Sequence, residues 1–472
     1  MKQLAILVGV AAISACASMP GKAPRASFEP QAARASQRSF SAPAGEWPAV
    51  GWWKQYGDAQ LDALIGEGLA GSPTVAVADA RLARARAFEK STRGSLAPQI
   101  SASTALSEQK QSYNYLSPAA MTPQGWNDYG RSSLDFSWEL DFWGKNRAAL
   151  AAATSDAIAA SADADQARLA LTSAIASSYA ELARLYAAHD TAVAARDLRA
   201  KTAELFAKRF DNGLETRGGL RQAESRRAAG EAEVLSLAEQ IALQKNRLAA
   251  LVGAGPDRAL GIARPNTGFT RAFSLPAQLP VELVGRRPDI VAARLRAEAA
   301  AKRVDASRAQ FYPNVNLAAF VGVQALGIDM LKESGSDIGS VGPAISLPIF
   351  NGGRLRGQLR AAEAEYAEAV ANYDKTLVQA LQEVADAATS QRALAPQIEH
   401  IGAAVEAARE AWQVQNNRYQ GGLATYIEVL SAEDYLLSNL RAQSDLQSRS
   451  LSLDVALQRA LGGGYQASNQ NL

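Results

Sequence analysis

The pattern of apolar and polar residues changes its period along the chain, and each period predicts a different kind of element. In residues 133–142 apolar side chains alternate strictly with Ser, Asp and Glu, which is typical of a strand with one apolar and one polar face. The same period recurs in residues 100–106, 315–323 and 341–349. Pro343 weakens the last of these strand predictions, because proline cannot donate to a strand ladder.

Other segments have a helical period. Residues 146–209 contain neither glycine nor proline, and at 1.5 Å per residue they predict a helix on the order of 95 Å long. Their apolar residues recur at the coiled-coil steps of four and seven, at Leu171, Ile175, Leu182, Tyr186 and Val193. Residues 220–251, 356–418 and 426–461 carry similar stripes. We therefore expect two long antiparallel helical hairpins, at about 145–252 and 354–462.

A short loop occurs twice in the chain. The stretch "RFDNGLET" occupies residues 209–216 and "RYQGGLAT" occupies residues 418–425, an offset of 418 − 209 = 209 residues. Each copy lies between two predicted helices, so we expect it to form the tip of a helical hairpin. Gly213 and Gly422 stand where a left-handed C-cap is expected.

The match extends beyond the loop. At the same offset Ala223 faces Ala432 and Glu224 faces Glu433, which indicates duplication of a whole structural unit. The predicted organisation is a first structural repeat at 47–263 with a β-hairpin at about 99–142, a second at 264–463 with a helix at about 282–310 and a β-hairpin at about 314–350, and a C-terminal tail at 464–472.

The N-terminus predicts export and lipid attachment. Lys2 and a short apolar run lead to "ISAC", which resembles a bacterial lipobox ending at Cys16. We expect residues 1–15 to be a lipoprotein signal peptide, Cys16 to be acylated, and residues 16–46, rich in Pro, Ala, Ser and Gly, to form a tether. Ala17 follows the cysteine, and an alanine there resembles the sorting signal of lipoproteins that go to the outer membrane. The alternative is an ordinary signal peptide cut at a neighbouring alanine, with Cys16 incidental.

Composition and charge argue against several classes of function. The 472 residues include 49 Lys and Arg and 47 Asp and Glu, a balance that argues against a nucleic-acid partner. No stretch after the signal has 18 consecutive apolar residues, so a membrane crossing would have to use strands. His189 and His400 lack a neighbouring carboxylate or cysteine cluster, and "GAGPDRALG" at 253–261 follows a helix where a nucleotide loop would follow a strand. We expect no enzyme activity, no metal and no cofactor.

The strands predict an oligomer if they enter a membrane. Four strands cannot close a barrel, and an open edge in lipid would leave backbone groups unsatisfied. Two copies would supply eight strands around a lumen filled by side chains, whereas three would supply twelve and leave room for a passage. The strands alone leave both assemblies open.

Several segments together resemble the TolC-type outer-membrane efflux factors, in particular the lipoprotein branch that serves resistance-nodulation-division pumps. The similarity extends from Trp53 to Gly463. Besides the two tips, it is carried by "WWKQYGDAQLDALI" at 52–65, "ELDFWGKNR" at 139–147, "RRPDIVAARLRAEAA" at 286–300, "FYPNVNL" at 311–317 and "LPIFNGGRLRG" at 347–357.

The resemblance implies a fold that is mainly α with transmembrane β. Long antiparallel α-helical hairpins would form an α-barrel in the periplasm, and each chain would add four strands to a trimeric 12-stranded β-barrel in the Gram-negative outer membrane. It implies a passive conduit that exports small molecules with a periplasmic adaptor protein and an inner-membrane pump. The tips would contact the adaptor through Gly213, Leu214, Thr216, Gly422, Leu423 and Thr425.

The resemblance also implies a gate near the second tip. Glu428 would line the tunnel mouth in every protomer, and Ser431 stands where several relatives carry a second acid. Arg418 and Tyr419 would stabilise the closed state through contacts with neighbouring helices. The candidate partners of Glu428 in the first hairpin are Arg217 and Arg221.

Other interpretations stay open at this point. The chain could be a conduit for type I protein secretion, or a coiled-coil envelope lipoprotein without a pore, although the second leaves the strand alternation unexplained. At single positions, Gly213 and Gly422 could serve only as helix caps, and Glu428 could be an ordinary solvated carboxylate.

Overall fold

A computed structural model describes residues 26–28, 40, 42–114, 118–266, 273–276 and 279–467. Cys16, the predicted signal peptide and most of the predicted tether lie outside the described residues. The described part is mostly helical, and its larger sheet is antiparallel. No described helix combines the length and apolar character needed to cross a membrane.

The helices are α1 (Ala59–Gly71), α2 (Pro73–Gly94), α3 (Lys145–Asp211), α4 (Arg217–Leu251), α5 (Asp257–Leu260), α6 (Leu279–Arg286), α7 (Pro288–Ala309), α8 (Arg354–Gln420) and α9 (Tyr426–Ala460). The strands are β1 (Ala44–Gly45), β2 (Gln99–Gln109), β3 (Asn127–Glu139), β4 (Leu275–Pro276), β5 (Asn314–Leu326) and β6 (Asp337–Ser346). Short 3₁₀ turns occupy Trp52–Tyr56, Ala119–Met121 and Ile328–Lys332.

The long helices form two hairpins of equal size. The first hairpin is α3 and α4, with 67 and 35 residues, and the second is α8 and α9, also with 67 and 35 residues. Both helices of the second hairpin start 209 residues after their counterparts (354 − 145 and 426 − 217). The helices predicted from the apolar stripes are confirmed. One difference lies inside α8, which contains Pro396 where α3 has Ala187.

Four strands form the larger sheet, in the order β2-β3-β5-β6, with every neighbouring pair antiparallel. The strands predicted from the alternating period are confirmed. The register aligns apolar residues on one face, since Leu134 of β3 pairs with Val321 of β5 and Ala319 pairs with Val341 of β6. Within this sheet β6 pairs only with β5, so it is an edge strand, where Pro343 can be accommodated.

Three predicted boundaries were wrong. Strand β3 stops at Glu139, before the predicted end at residue 142, because the Phe142 amide donates to the Leu140 carbonyl (2.8 Å) in a turn that leads into α3. Strand β6 stops at Ser346, two residues before Pro348. The helix predicted at 282–310 is two helices, α6 and α7, because the residue before Pro288 is disfavoured in helical geometry.

The chain folds as two compact units, and each unit takes segments from both halves of the sequence. The first unit contains Leu82–Ala160 and Ala293–Tyr373, and therefore the sheet; α7 and the start of α8 share a buried cluster there, formed by Val304, Phe311, Leu355, Leu359 and Ala362. The second contains Ser161–Ala292 and Asp374–Leu472 together with Glu29–Arg81. Its largest apolar cluster joins α1 to α3 and α4 through residues such as Leu64, Ile175 and Leu248. The division into repeats at 47–263 and 264–463 stays a prediction.

Candidate functional site

The predicted adaptor-contact and gate residues cluster at the ends of the two hairpins, inside the second compact unit. We call residues 211–216 the first tip and residues 420–425 the second tip. At the first tip Gly213 has a φ of 73°, which residues with a side chain rarely adopt. The Gly213 amide donates to the Phe210 carbonyl (2.9 Å) and the Leu214 amide donates to the Arg209 carbonyl (2.8 Å), so these carbonyls at the end of α3 are satisfied.

The second tip repeats this backbone. Gly422 has a φ of 74°, its amide donates to the Tyr419 carbonyl (3.0 Å), and the Leu423 amide donates to Arg418 (2.8 Å). The predicted left-handed caps are therefore confirmed. Leu214 and Leu423 follow the two glycines and are 65% and 74% exposed. Each tip thus presents one leucine to solvent beside a glycine whose Cβ position is open space.

The helices that leave the tips begin with different side-chain bonds. At the start of α4, the Thr216 hydroxyl accepts from the Gly219 amide (3.1 Å), which is an ordinary N-cap. At the start of α9, the Glu428 carboxylate accepts from the Thr425 amide (2.6 Å) and the Thr425 hydroxyl (2.9 Å). Glu428 stands where the first hairpin has Gly219, and the first tip binds its carboxylate from a different position, since Glu215 accepts from the Thr216 amide (2.6 Å).

Glu428 is exposed and ionised. The hydrogen bond from the Thr425 amide, helped by the Thr425 hydroxyl and the nearby Arg418 charge, holds the pKa of Glu428 below its ordinary value. Ser431 lies one turn further along α9 and is also exposed. Arg418 donates to the Leu423 carbonyl at 3.2 Å and so closes the tip on itself.

The predicted arginine partners of Glu428 do not contact it within the described chain. Arg221 pairs instead with Glu224 (2.7 Å), and Arg217 is exposed in the first turn of α4. A pairing of Glu428 with either arginine stays a prediction for the assembled protein.

Tyr419 joins the two hairpins. Its side chain is buried, stacks on Phe206 of α3 with ring centroids 5.1 Å apart, and lies under the Arg209 guanidinium, 4.4 Å from the ring centroid. Its hydroxyl donates to the Glu215 carboxylate of the first tip. Burial, together with that hydrogen bond, raises the pKa of Tyr419 above its ordinary value. The hydroxyl therefore remains a proton donor at any physiological pH.

Sequence reasoning did not identify the groups that receive the second hairpin. Besides Phe206 and Glu215, they include Thr202 of α3, whose hydroxyl donates to Glu433 of α9 (2.6 Å). Arg226 of α4 donates to the Leu430 carbonyl (3.0 Å) and to Asp434 (2.8 Å). The burial of Glu433 had a sequence signal, because Val429, Leu430, Leu436 and Leu437 surround it at helical spacing. No sequence signal identified its partner, Thr202.

Among the described residues no cluster of three or more His, Cys, Asp or Glu could hold a metal ion. The tips offer exposed leucines, a bound carboxylate and a set of bonds between the hairpins, which suit docking and conformational control. Cys16 lies outside the described residues, so its acylation stays a prediction.

Comparisons with known proteins identify the family. The family model described as "Outer membrane efflux protein" matches residues 64–254 and 279–463. The chain is 31% identical over 476 residues to the multidrug resistance outer membrane protein MdtP of Shigella flexneri, covering 98% of this chain and 96% of the relative. It is 38% identical to the fusaric acid resistance protein FusA of Burkholderia cepacia, covering 76% and 69%. The crystal structure of the outer membrane protein VceC of Vibrio cholerae is similar with a TM-score of 0.85 and 52% identity, covering 89% of this chain and all of that one.

Proposed function

The chain belongs to the outer membrane efflux protein family, and we propose that it is the trimeric outer-membrane channel of a tripartite efflux system, a passive conduit that exports small molecules. The outer membrane is its location, and its helical part would extend into the periplasm. The names of its relatives, which refer to multidrug and fusaric acid resistance, favour small molecules over secreted proteins as the cargo.

The observation that carries the proposal is the chemistry of the two faces of the sheet. One face exposes apolar side chains, among them Ile100 (73%), Val321 (63%) and Val341 (76%). The other face carries hydrogen-bonded polar groups, such as Ser103 with Ser133 (3.0 Å) and Asp135 (2.9 Å). An exposed apolar face opposite a polar one suits lipid outside and water inside.

The edges of the sheet support the trimer. The outer edges of β2 and β6 have no partner strand among the described residues, and in lipid their backbone groups must be satisfied by another chain. Three chains would provide twelve strands, enough for an aqueous passage. Two chains would provide eight strands, and side chains fill the lumen of a barrel of that size. The proposal therefore includes a homotrimer in contact with outer-membrane lipid.

The tips support docking of a periplasmic adaptor, which would connect the channel to a resistance-nodulation-division pump in the inner membrane. Gly213, Leu214 and Thr216, with Gly422, Leu423 and Thr425, would form the contact. The absence of a side chain at each glycine lets a partner helix approach closely beside the exposed leucine. Glu428 of each protomer would line the tunnel mouth and favour cations, and the serine at 431 would leave that field weaker than two acidic rings.

Recording from the purified protein in planar bilayers tests the conduit. We expect discrete channels with cation preference, and a mass in detergent that corresponds to three protomers. Protein that folds but conducts no ions, or that has the mass of one or two protomers, would contradict the proposal.

Two variants test adaptor docking. Gly422→Trp should abolish efflux in cells while trimer formation persists, because the indole would block the partner. Gly422→Ala is the matched control, since it bears the same strain of a positive φ, about 1 kcal/mol, without the bulk, and it should export normally. Normal export by Gly422→Trp would place the docking surface elsewhere.

Cys16 would carry the lipid anchor. Replacing it by serine under the same signal should abolish metabolic labelling with palmitate, while the barrel should still insert, because the strands satisfy the bilayer. Labelling that persists in the Cys16→Ser protein would disprove acylation at this residue.

A further inference from the structure

A fully buried acid lies between the hairpins, eight residues beyond the second tip. Glu433 of α9 is 0% exposed. Its Oε2 atom accepts a hydrogen bond from the Thr202 hydroxyl of α3 at 2.6 Å. Its Oε1 atom is buried too and has no hydrogen-bond partner within the described part of the chain. An ionised carboxylate in this position would leave half of its charge without compensation.

Of the two arginines nearest Glu433, Arg226 is bonded to another acid and Arg199 faces another acid. On α4, Arg226 is bonded to Asp434 (2.8 Å), and Asp434 is the acid next to Glu433 on α9. On α3, Arg199 lies 3.9 Å from Glu233, which Arg441 contacts at 2.5 Å. Neither Arg199 nor Arg226 forms an ion pair with Glu433.

Burial therefore dominates the protonation of this residue. It raises the pKa of Glu433 above its ordinary value of 4.5, although the Thr202 hydrogen bond and the Arg199 and Arg226 charges act in the opposite direction. The negative charge of Asp434 adds to the rise. The packed arrangement thus favours the neutral acid.

We propose that Glu433 is a proton-operated latch between the two hairpins: in its neutral form it stays buried against Thr202 and holds α9 on α3, and after losing its proton to solvent it leaves that contact and frees the second hairpin near its tip. The inference rests on the proposed function, because release near the tip matters only if the tips close a conduit. The proposed latch would make the opening of that conduit depend on pH.

The sign of the pH effect follows from proton binding. Between the ordinary carboxyl pKa and the raised pKa, the latched state binds more protons than the released state, so the latched state loses stability as the pH rises. Below that window both states are protonated and the latch has its full strength. Each unit by which the pKa is raised corresponds to a tenfold change in the ratio of latched to released protein.

The repeat offers a matched control. Glu224 is the counterpart of Glu433 in the first hairpin, but its side chain is 41% exposed and pairs with Arg221. Glu224→Gln removes one carboxylate from the same position of the duplicated helix without touching the latch. Any effect of lost charge alone should appear in both variants.

The test is single-channel recording of full-length protein in planar bilayers over a series from acidic to neutral pH. In the wild-type protein and in Glu224→Gln the open fraction should rise with pH. In Glu433→Gln, which keeps a neutral group of the same shape, the open fraction should remain at the low acidic value throughout. A wild-type pH profile retained by Glu433→Gln would overturn the latch, and so would a flat wild-type profile.

A second measurement does not depend on conduction. Spin labels at the exposed positions Leu214→Cys and Leu423→Cys, in a Cys16→Ser background, report the distance between the tips. That distance should increase with pH, and the added Glu433→Gln substitution should abolish the increase. If the wild-type protein forms no channels, the proposed function fails while the distances still decide the latch. Distances that do not change with pH in folded protein would disprove it.

Discussion

The two tips share a backbone but not an environment. Both end their first helix at a glycine with a φ near 73° and satisfy the same two carbonyls. Yet Phe210, just before the first tip, is 37% exposed, whereas its counterpart Tyr419 is 2% exposed. Glu224 is likewise partly exposed and Glu433 is not exposed at all.

This difference shows that the two copies share the local tip motif but not the contacts between the hairpins. Tyr419 is buried because α3 presents Phe206 and the first tip presents Glu215 to it. The equivalents of those two residues in the second half are Gln415 and Ala424, which offer neither an aromatic ring nor a carboxylate. The first hairpin therefore provides the receiving surface, and the second hairpin provides the side chains that enter it.

The largest expected effect is on stability, from removal of the inserted ring. Tyr419→Ala should cost about 3–5 kcal/mol, because it leaves a cavity beside Phe206 and removes the hydrogen bond to Glu215. Phe210→Ala, at the equivalent exposed position, should cost less than about 1 kcal/mol. Thermal unfolding of the two purified variants measures the difference. Equal losses would show that the tips are not asymmetric in this way.

The long helices allow the next comparison. Ala187→Pro should destabilise α3 by about 3 kcal/mol, because proline removes a helical hydrogen bond and clashes with the preceding turn. In α8 the reverse change, Pro396→Ala, restores a donor and should stabilise the protein by about 1 kcal/mol. Unfolding temperatures of both variants provide the measurement. A loss of stability in Pro396→Ala would mean that α8 depends on its proline.

The caps should differ by a smaller amount. Thr216→Ala should cost about 1 kcal/mol, because the Gly219 amide loses its acceptor. Thr425→Ala should cost less, since the Glu428 amide keeps the Thr425 carbonyl as its acceptor (3.2 Å). Hydrogen exchange in the first turns of α4 and α9 compares the two directly. Greater fraying in α9 than in α4 would contradict the assignment of the stronger hydroxyl cap to Thr216.

The smallest stability effect should come with a change of selectivity. Glu428→Gln should alter stability by no more than about 0.5 kcal/mol, as expected for an exposed position. It should lower the cation preference of single channels and weaken block by multivalent cations, because the tunnel mouth would lose its charge. Glu224→Gln, in the first hairpin, should leave the ion selectivity as it is. Unchanged selectivity in Glu428→Gln would show that Glu428 does not line the tunnel mouth.

Much of the candidate site follows from local sequence. Gly213 and Gly422 were predictable as caps because a left-handed φ favours glycine wherever a helix ends in this way. The helix stripes and strand alternation were predictable because a buried face recurs with the period of the element. The C-terminal ends of β3 and β6 and the break before Pro288 were missed, because turn bonds and proline overrode a continuing pattern.

Partners across the chain are a different matter. The neighbours of Glu433 in sequence, Leu430 and Leu436 among them, indicate that its face of α9 is buried. The corresponding neighbours of Glu224 include Arg221 and Arg227, which indicate a solvated face. No pattern within α9, however, points to Thr202, which lies 231 residues away along the chain.

By itself, the sequence determined the helices, the strands, the duplicated tip and the family, because these depend on residue type and spacing within short windows and on motifs that relatives share. Only the tertiary structure decided which hairpin receives and which one inserts, that Tyr419 donates to Glu215, and that Glu433 is enclosed beside Thr202. The physical reason is that burial and protonation are set by the sum of all neighbouring groups in space. Two copies of one motif can therefore share the backbone bonds around the tip glycine and still have different electrostatic environments.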